Sequence, residues 1–194
     1  MPVSTKRRIV DDKIRCPLRA VNVGGTGKLP MSELRAICCE AGYARVETYI
    51  ASGNVVFESK AAPSRVKAEL ERRLHAFVGK PVGVLVRTAP EMQAVLEANP
   101  FPKAEPKYTY AIFLDAPPPA DALTNVSGQQ DEQMRLGIRE IFVHYGSGIG
   151  RSKLRIPAAR TGTARNMNTV AKLVEIASRP GFDRQCAAWH ARRY

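Results

Sequence analysis

The chain predicts an α+β fold: a ferredoxin-like βαββαβ unit followed by a second, incomplete unit of the same kind. Three observations carry this expectation. Between residues 14 and 88, strand-like apolar runs alternate with helical spacing in the order β, α, β, β, α, β. Beyond residue 108, strand-like runs recur around turn residues and end in one amphipathic helical segment. With 194 residues, 44% of them hydrophobic, the chain is long enough to bury a core under two small packed units.

The elements of the first half follow in order. Residues 14–23 are an apolar-rich run of β character. Residues 31–43 place Leu34, Ile37, Cys38 and Ala41 at helical spacing, and Gly42 suits the end of that helix. Residues 46–59 are rich in β-branched and aromatic side chains and are broken by Ser52-Gly53-Asn54, which reads as a hairpin turn. Residues 63–78 predict a helix, with Pro63 in the first turn and Val66, Leu70, Leu74 and Phe77 on one face. Residues 82–87 alternate as a strand. If these strands form one antiparallel sheet, the loop after the first strand, the Ser52-Gly53-Asn54 turn and the connection at 79–81 share an edge, and such a rim suits binding.

In the second half, residues 89–98 predict a short helix, 108–115 a strand, and 117–123 a turn. Residues 132–136 and 139–145 pair around Gly137. Residues 153–160 read as partly helical, although Pro157 opposes a long helix. Residues 165–178 predict a helix with Met167, Val170, Val174 and Ala177 on one face and Thr163 as its cap. The expected organisation is a basic tail at 1–13, a ferredoxin-like subdomain at 14–88, a second α+β subdomain at 89–178 packed on it, and a basic tail at 179–194.

The formal net charge is +12. Its placement is informative: from Ile141 to Val174 there is no acidic residue, while Arg151, Lys153, Arg155, Arg160, Arg165 and Lys172 lie within that stretch. A surface of this kind attracts nucleic acid or phosphate-bearing small molecules. No apolar stretch approaches the roughly 20 residues of a membrane span, and the N-terminal residues lack the apolar core of a secretion signal. The four cysteines, Cys16, Cys38, Cys39 and Cys186, have neither C-x-x-C spacing nor a histidine at ligand spacing, which argues against zinc. Adjacent Cys38 and Cys39 are poorly placed to pair with each other. They read as reduced core residues of a cytoplasmic protein.

Four stretches carry polar chemistry. Residues 19–28 read Arg-Ala-Val-Asn-Val-Gly-Gly-Thr-Gly-Lys and lead directly into a helix. Bare glycine N–H groups at a helix start favour an anion, which singles out Arg19, Asn22, Gly24, Gly25 and Lys28. The nucleotide-binding pattern G-x-x-x-x-G-K-S/T fails, because Asn22 replaces its first glycine and Leu29 its hydroxyl residue. Ser52 and Asn54 offer a hydroxyl and an amide, or serve only as a turn. Arg165, Asn166 and Asn168 crowd a predicted helix start. Arg165 suits a fork to phosphate or carboxylate, and the two asparagines suit caps equally well. The glycine loop at 146–150 runs into Arg151 and Lys153, an arrangement open both to phosphate contact and to a plain connection. No catalytic constellation, metal set or cofactor motif is recognisable among His75, His144 and His190 or the cysteines.

The segments Leu18-Arg19-Ala20-Val21-Asn22-Val23-Gly24-Gly25, Pro30-Met31-Ser32-Glu33-Leu34-Arg35, Thr48-Tyr49-Ile50-Ala51-Ser52-Gly53-Asn54-Val55-Val56-Phe57 and Thr163-Ala164-Arg165-Asn166-Met167-Asn168-Thr169-Val170 together resemble the domain of unknown function 1697 family. The resemblance runs from about Cys16 to Ser178 and departs from the family pattern at Ala20, Ala164 and Met167. It implies a bacterial-type cytosolic protein of ferredoxin-like repeats and no established activity. The functional expectation is a non-catalytic binding protein for an anionic ligand at the glycine-rich loop edge. The alternatives are an enzyme acting on a small anionic substrate and a protein-interaction module. The sequence fixes no oligomeric state.

Overall fold

The computed structural model describes residues 13–17, 29–50 and 53–179. Within them the chain forms two four-stranded antiparallel sheets and four α-helices. The first sheet contains Lys13–Pro17 (β1), Ala44–Tyr49 (β2), Asn54–Glu58 (β3) and Arg87–Thr88 (β4) in the order β2-β3-β1-β4. Its helices are Met31–Glu40 (α1), between β1 and β2, and Pro63–Val78 (α2), between β3 and β4. Ala89–Glu97 (α3) follows β4 directly. The second sheet contains Thr109–Phe113 (β5), Gln133–Leu136 (β6), Glu140–His144 (β7) and Thr163–Asn166 (β8) in the corresponding order β6-β7-β5-β8, and Met167–Ser178 (α4) follows β8. No described helix is long and apolar enough to cross a membrane.

Strand alternation builds the layers. In β3, Val55 and Phe57 turn to α1 and α2, where they meet Leu34, Ile37, Val66, Leu70 and Leu74. Tyr43 stacks on Phe57 at 4.4 Å between ring centroids. The intervening Val56 joins Met92 and Val95 of α3, Val170, Leu173 and Val174 of α4, and Ala111, Phe113 and Phe142 of the second sheet. Helices α3 and α4 therefore lie between the two sheets. Among the described residues no α-helix packs on the outer face of the second sheet, with Ile112, Ile141 and Val143. Leu123, Val126, Leu154 and Ile156 from irregular chain and Ala158 from a 3₁₀ turn cover it instead.

Helix α2 spans the residues its periodicity predicts, but Phe77 is 50% exposed while Val66, Leu70 and Leu74 are fully buried. The α2 stripe outruns the first sheet by one turn. The strand expected at 82–87 contracts to Arg87–Thr88. Val82, Leu85 and Val86 are buried as extended chain outside the ladder, and Val84 makes a single β-bridge. The helical reading of 153–160 is corrected to one 3₁₀ turn, Pro157–Ala159, because Pro157 lacks a backbone donor; a second such turn, Ile149–Arg151, precedes the segment. The helix expected from Arg165 begins two residues later. Thr163–Asn166 is a ladder strand beside β5, and the cap is Asn166, whose Oδ1 accepts from Thr169 N at 2.9 Å. The reading of the cysteines as reduced is corrected at Cys39, which is disulfide-bonded, since adjacency prevents only the Cys38–Cys39 pairing. Cys38 is free and buried, and burial pushes its thiol up to about 12.

Candidate functional site

The site begins with strand register. Pro17, the last residue of β1, lies opposite Asn54, the first residue of β3. The chain therefore leaves β1 toward the glycine-rich segment at the same sheet edge where it enters β3 from the turn. This is the edge that element order alone predicts. Gly53, at φ 77°, takes the left-handed conformation that the turn demands and that glycine adopts without strain. Ile50, at φ 50° and 48% exposed, takes it as a β-branched residue. That is a costly conformation at the same turn, and sequence reasoning had no signal for it.

Arg165 reaches this edge from the second sheet. It sits on β8 opposite Ala111 and faces the space between the sheets. Its Nε donates to Asn54 Oδ1 at 2.6 Å, and its Nη1 donates to Thr163 Oγ1 and Ala164 O, both at 2.8 Å. Asn54 is fully buried, and its Nδ2 donates to Tyr49 O at 3.2 Å. Two expected ligand residues, 111 positions apart, are thus directly bonded. Burial pulls the Arg165 guanidinium down to about 10, so it stays charged at neutral pH. At 8% exposure it is a buried brace rather than an exposed surface group.

The remaining candidates scatter. Asn166 caps α4, and Asn168 is exposed on its first turn. Lys153 is exposed in the irregular cover of the second sheet, on the face away from Arg165. Arg19, Asn22, Gly24, Gly25, Lys28 and Ser52 lie outside the described residues, as do most of both basic tails.

The stretch without acids is not isolated from acids in space. Ser147 Oγ donates to Asp131 Oδ2 at 2.5 Å, and Ser152 Oγ donates to Glu132. The hydrogen bond from Gln130 N, followed by that from Ser152, holds the Glu132 carboxyl below its usual range. Arg151, Lys153 and Arg155 remain exposed around this anchored loop, and none of them forms a described ion pair.

A second arginine occupies the equivalent place in the other half. Arg87 on β4 directly precedes Thr88, the cap of α3, as Arg165 precedes Asn166, the cap of α4. Arg87 is 2% exposed and crosses in the opposite sense. Its Nη1 donates to Val86 O at 2.9 Å, and its Nη2 donates to Leu114 O and, at 3.3 Å, to Arg139 O at the edge of the second sheet. Its carbon Cζ lies 5.7 Å from the Phe113 ring centroid. Burial lowers its pKa, with the nearby Arg139 adding to the effect. No spacing rule singled out Arg87, which reads as the polar end of an apolar strand.

Among the described residues no cluster of His, Cys, Asp and Glu is arranged to hold a metal ion. The comparison with solved structures finds the conserved bacterial protein SP0830 from Streptococcus pneumoniae. The likeness has a TM-score of 0.69 at 24% identity and covers 86% of this chain and 99% of that one, so it speaks for the fold alone. No curated protein matches the chain. Residues 16–142 match a family model, a span that stops short of the resemblance noted as far as Ser178 and leaves out the motif around Arg165. The match covers well over half of the chain, which belongs to the family described as Protein of unknown function (DUF1697).

Proposed function

We propose that this is a non-catalytic, cytoplasmic binding protein built of two ferredoxin-like units, and that it takes an anionic ligand at the edge where β1 ends and β3 begins. One observation carries the reading. A desolvated guanidinium from the second sheet is fixed against Asn54 at the point where the chain passes into its glycine-rich segment. The ligand class is a phosphate-bearing small molecule, which a guanidinium and bare backbone N–H groups favour additively. The corresponding strand orders of the two sheets, with helices after β1 and β3 in the first, support the ferredoxin-like reading. The test is calorimetric titration of the full chain with inorganic pyrophosphate, comparing wild type with Asn22→Ala and Arg165→Gln, with circular dichroism as the control for folding. Weakened binding in both folded variants supports the site. Unchanged affinity in both rejects it and leaves Arg165 as a brace.

A second reading, nucleic-acid binding, is favoured by exposed Arg151, Lys153 and Arg155 on the cover of the second sheet. Non-specific affinity of this kind runs about 10⁻⁴ to 10⁻⁶ M and falls steeply with salt. Anisotropy titration of a fluorescent RNA or DNA strand at low salt tests it, and loss of binding in an Arg151→Ala, Lys153→Ala, Arg155→Ala variant supports it. An enzyme of small anionic substrates or an interaction module would instead show turnover or a stable protein complex.

A further inference from the structure

The equivalent end of the second half holds a cavity of about 100 Å³. That is several times the roughly 10–15 Å³ that one water needs. Its walls are Arg87, Glu91 and Arg139 together with the apolar Ala94, Val95 and Ile138, and Ala98 and Glu140 complete the lining. Every residue of it is among those described.

The hydrogen-bond inventory of these walls is lopsided. Four carboxylate oxygens are present, and each already accepts an N–H. Glu91 Oε2 takes Thr88 N at 2.7 Å, and its Oε1 takes Arg139 Nη2. Glu140 Oε1 takes Ile138 N at 3.0 Å, and its Oε2 takes Arg139 N at 3.1 Å. The guanidinium groups are only partly used. Arg87 spends its bonds on three carbonyls; among the described residues its Nε has no acceptor and no carboxylate lies within ion-pair distance of it. Arg139 commits Nη2 alone. Every carboxylate oxygen of the pocket is therefore engaged, while guanidinium N–H groups are left over, some of them on an almost fully buried cation.

Comparison with the other half sharpens this. Asn54 and Glu140 are equivalent, each being the first residue of its strand and opposite the last residue of β1 or β5. Arg165 Nε has its oxygen in Asn54, whereas the Glu140 carboxylate is taken by the backbone of its own turn.

From this we infer that the cavity between α3 and the β6–β7 turn binds a small monocarboxylate with a short aliphatic tail. The carboxylate takes the open N–H groups of Arg87 and Arg139, and the tail lies on Ala94, Val95 and Ile138. Ile138, 78% exposed at the mouth, is then covered by the bound molecule. This site is separate from the edge at Asn54 and stands whether or not that edge binds phosphate.

The test is a ¹H–¹⁵N correlation titration of the full chain with isobutyrate and, in parallel, with neutral isobutyramide. Isobutyrate is expected to give a saturable shift of the Ala94, Ala98, Ile138 and Arg139 amides and to bind about tenfold or more tightly than the amide. Because Arg87→Met can lower stability, Ala94→Leu serves as the second variant. It fills the cavity from an exposed position on α3, removes no charged group, and is expected to weaken isobutyrate about tenfold. Equal binding of the amide, shifts confined to other residues, no saturable shift, or undiminished affinity in Ala94→Leu would each overturn the proposal.

Discussion

The two ends of the molecule solve the same problem differently. At one, Arg165 crosses from the second sheet and finds a neutral amide oxygen on Asn54. At the other, Arg87 crosses from the first sheet and finds backbone carbonyls, while Glu140, in the position of Asn54, is used by its own turn. Both arginines are desolvated cations in the space between the sheets, and both directly precede a helix cap. The difference is one of satisfaction. Where the facing strand begins with an amide, the guanidinium is drawn in against it. Where it begins with a carboxylate held by two backbone N–H groups, a cavity stays open beside the cation. Conserving the brace while changing what faces it converts a packing element into a pocket.

The comparison can be broken most directly by removing the braces. Arg87→Ala is expected to destabilise by about 3 kcal/mol, because it leaves a hole and orphans the Leu114 and Val86 carbonyls inside the protein. Urea denaturation measures it. A loss below about 1 kcal/mol would mean that those carbonyls reach water. Next in size is the coupling of Arg165 to Asn54. A double-mutant cycle with Arg165→Met and Asn54→Ala should return about 1.5–3 kcal/mol, the range for a hydrogen bond to a charged group. The same cycle on Arg87→Met and Glu140→Gln should return less, since those side chains do not touch. Equal couplings would erase the distinction between the two ends.

Gly137→Ala addresses the turn itself. A Cβ there would lie 2.8 Å from the Glu140 carboxyl carbon, so the carboxylate must swing off the Ile138 and Arg139 amides. The expected cost is about 1–2 kcal/mol, with altered amide shifts at 138 and 139. The caps should agree more closely. Thr88→Ala and Asn166→Ala each remove one side-chain acceptor at a helix start and should each cost about 1 kcal/mol. The smallest effect lies away from both ends, on α2. Hydrogen bonds from Arg72 and Arg73 hold the Glu69 carboxyl down to about 2. Its folded-state pKa is depressed, so the small stabilisation is present above the ordinary carboxylate range and is lost as pH falls toward 2. A carbon-detected pH titration should place its midpoint well below that of an exposed glutamate.

Much of this was legible in the residues. The helix at 63–78, the helix expected at 89–98 and found at Ala89–Glu97, and the hairpin around Gly137 follow from periodicity and turn chemistry, which are local properties. The shared edge of the β1 exit and the β3 entry followed from element order, since antiparallel strands joined by crossovers must alternate ends. The start of α4 was misplaced because Thr163, Arg165, Asn166 and Asn168 carry cap chemistry that fits several frames. Only the ladder to β5 decides that Thr163–Asn166 is strand.

By itself the sequence determined the helices at 63–78 and 89–97 and the hairpins around Gly53 and Gly137, that the chain is strongly basic, and that polar side chains gather around Asn54 and Arg165. Tertiary structure alone decided that these two residues are each other's partners, that Arg87 is a brace of the same kind, and that Asp131 and Glu132 anchor a loop whose own sequence has no acid. The reason is physical. Periodicity and capping act over a few residues along the chain, whereas desolvation and hydrogen-bond satisfaction depend on what two sheets bring to the same place, in the case of Asn54 and Arg165 from 111 positions apart.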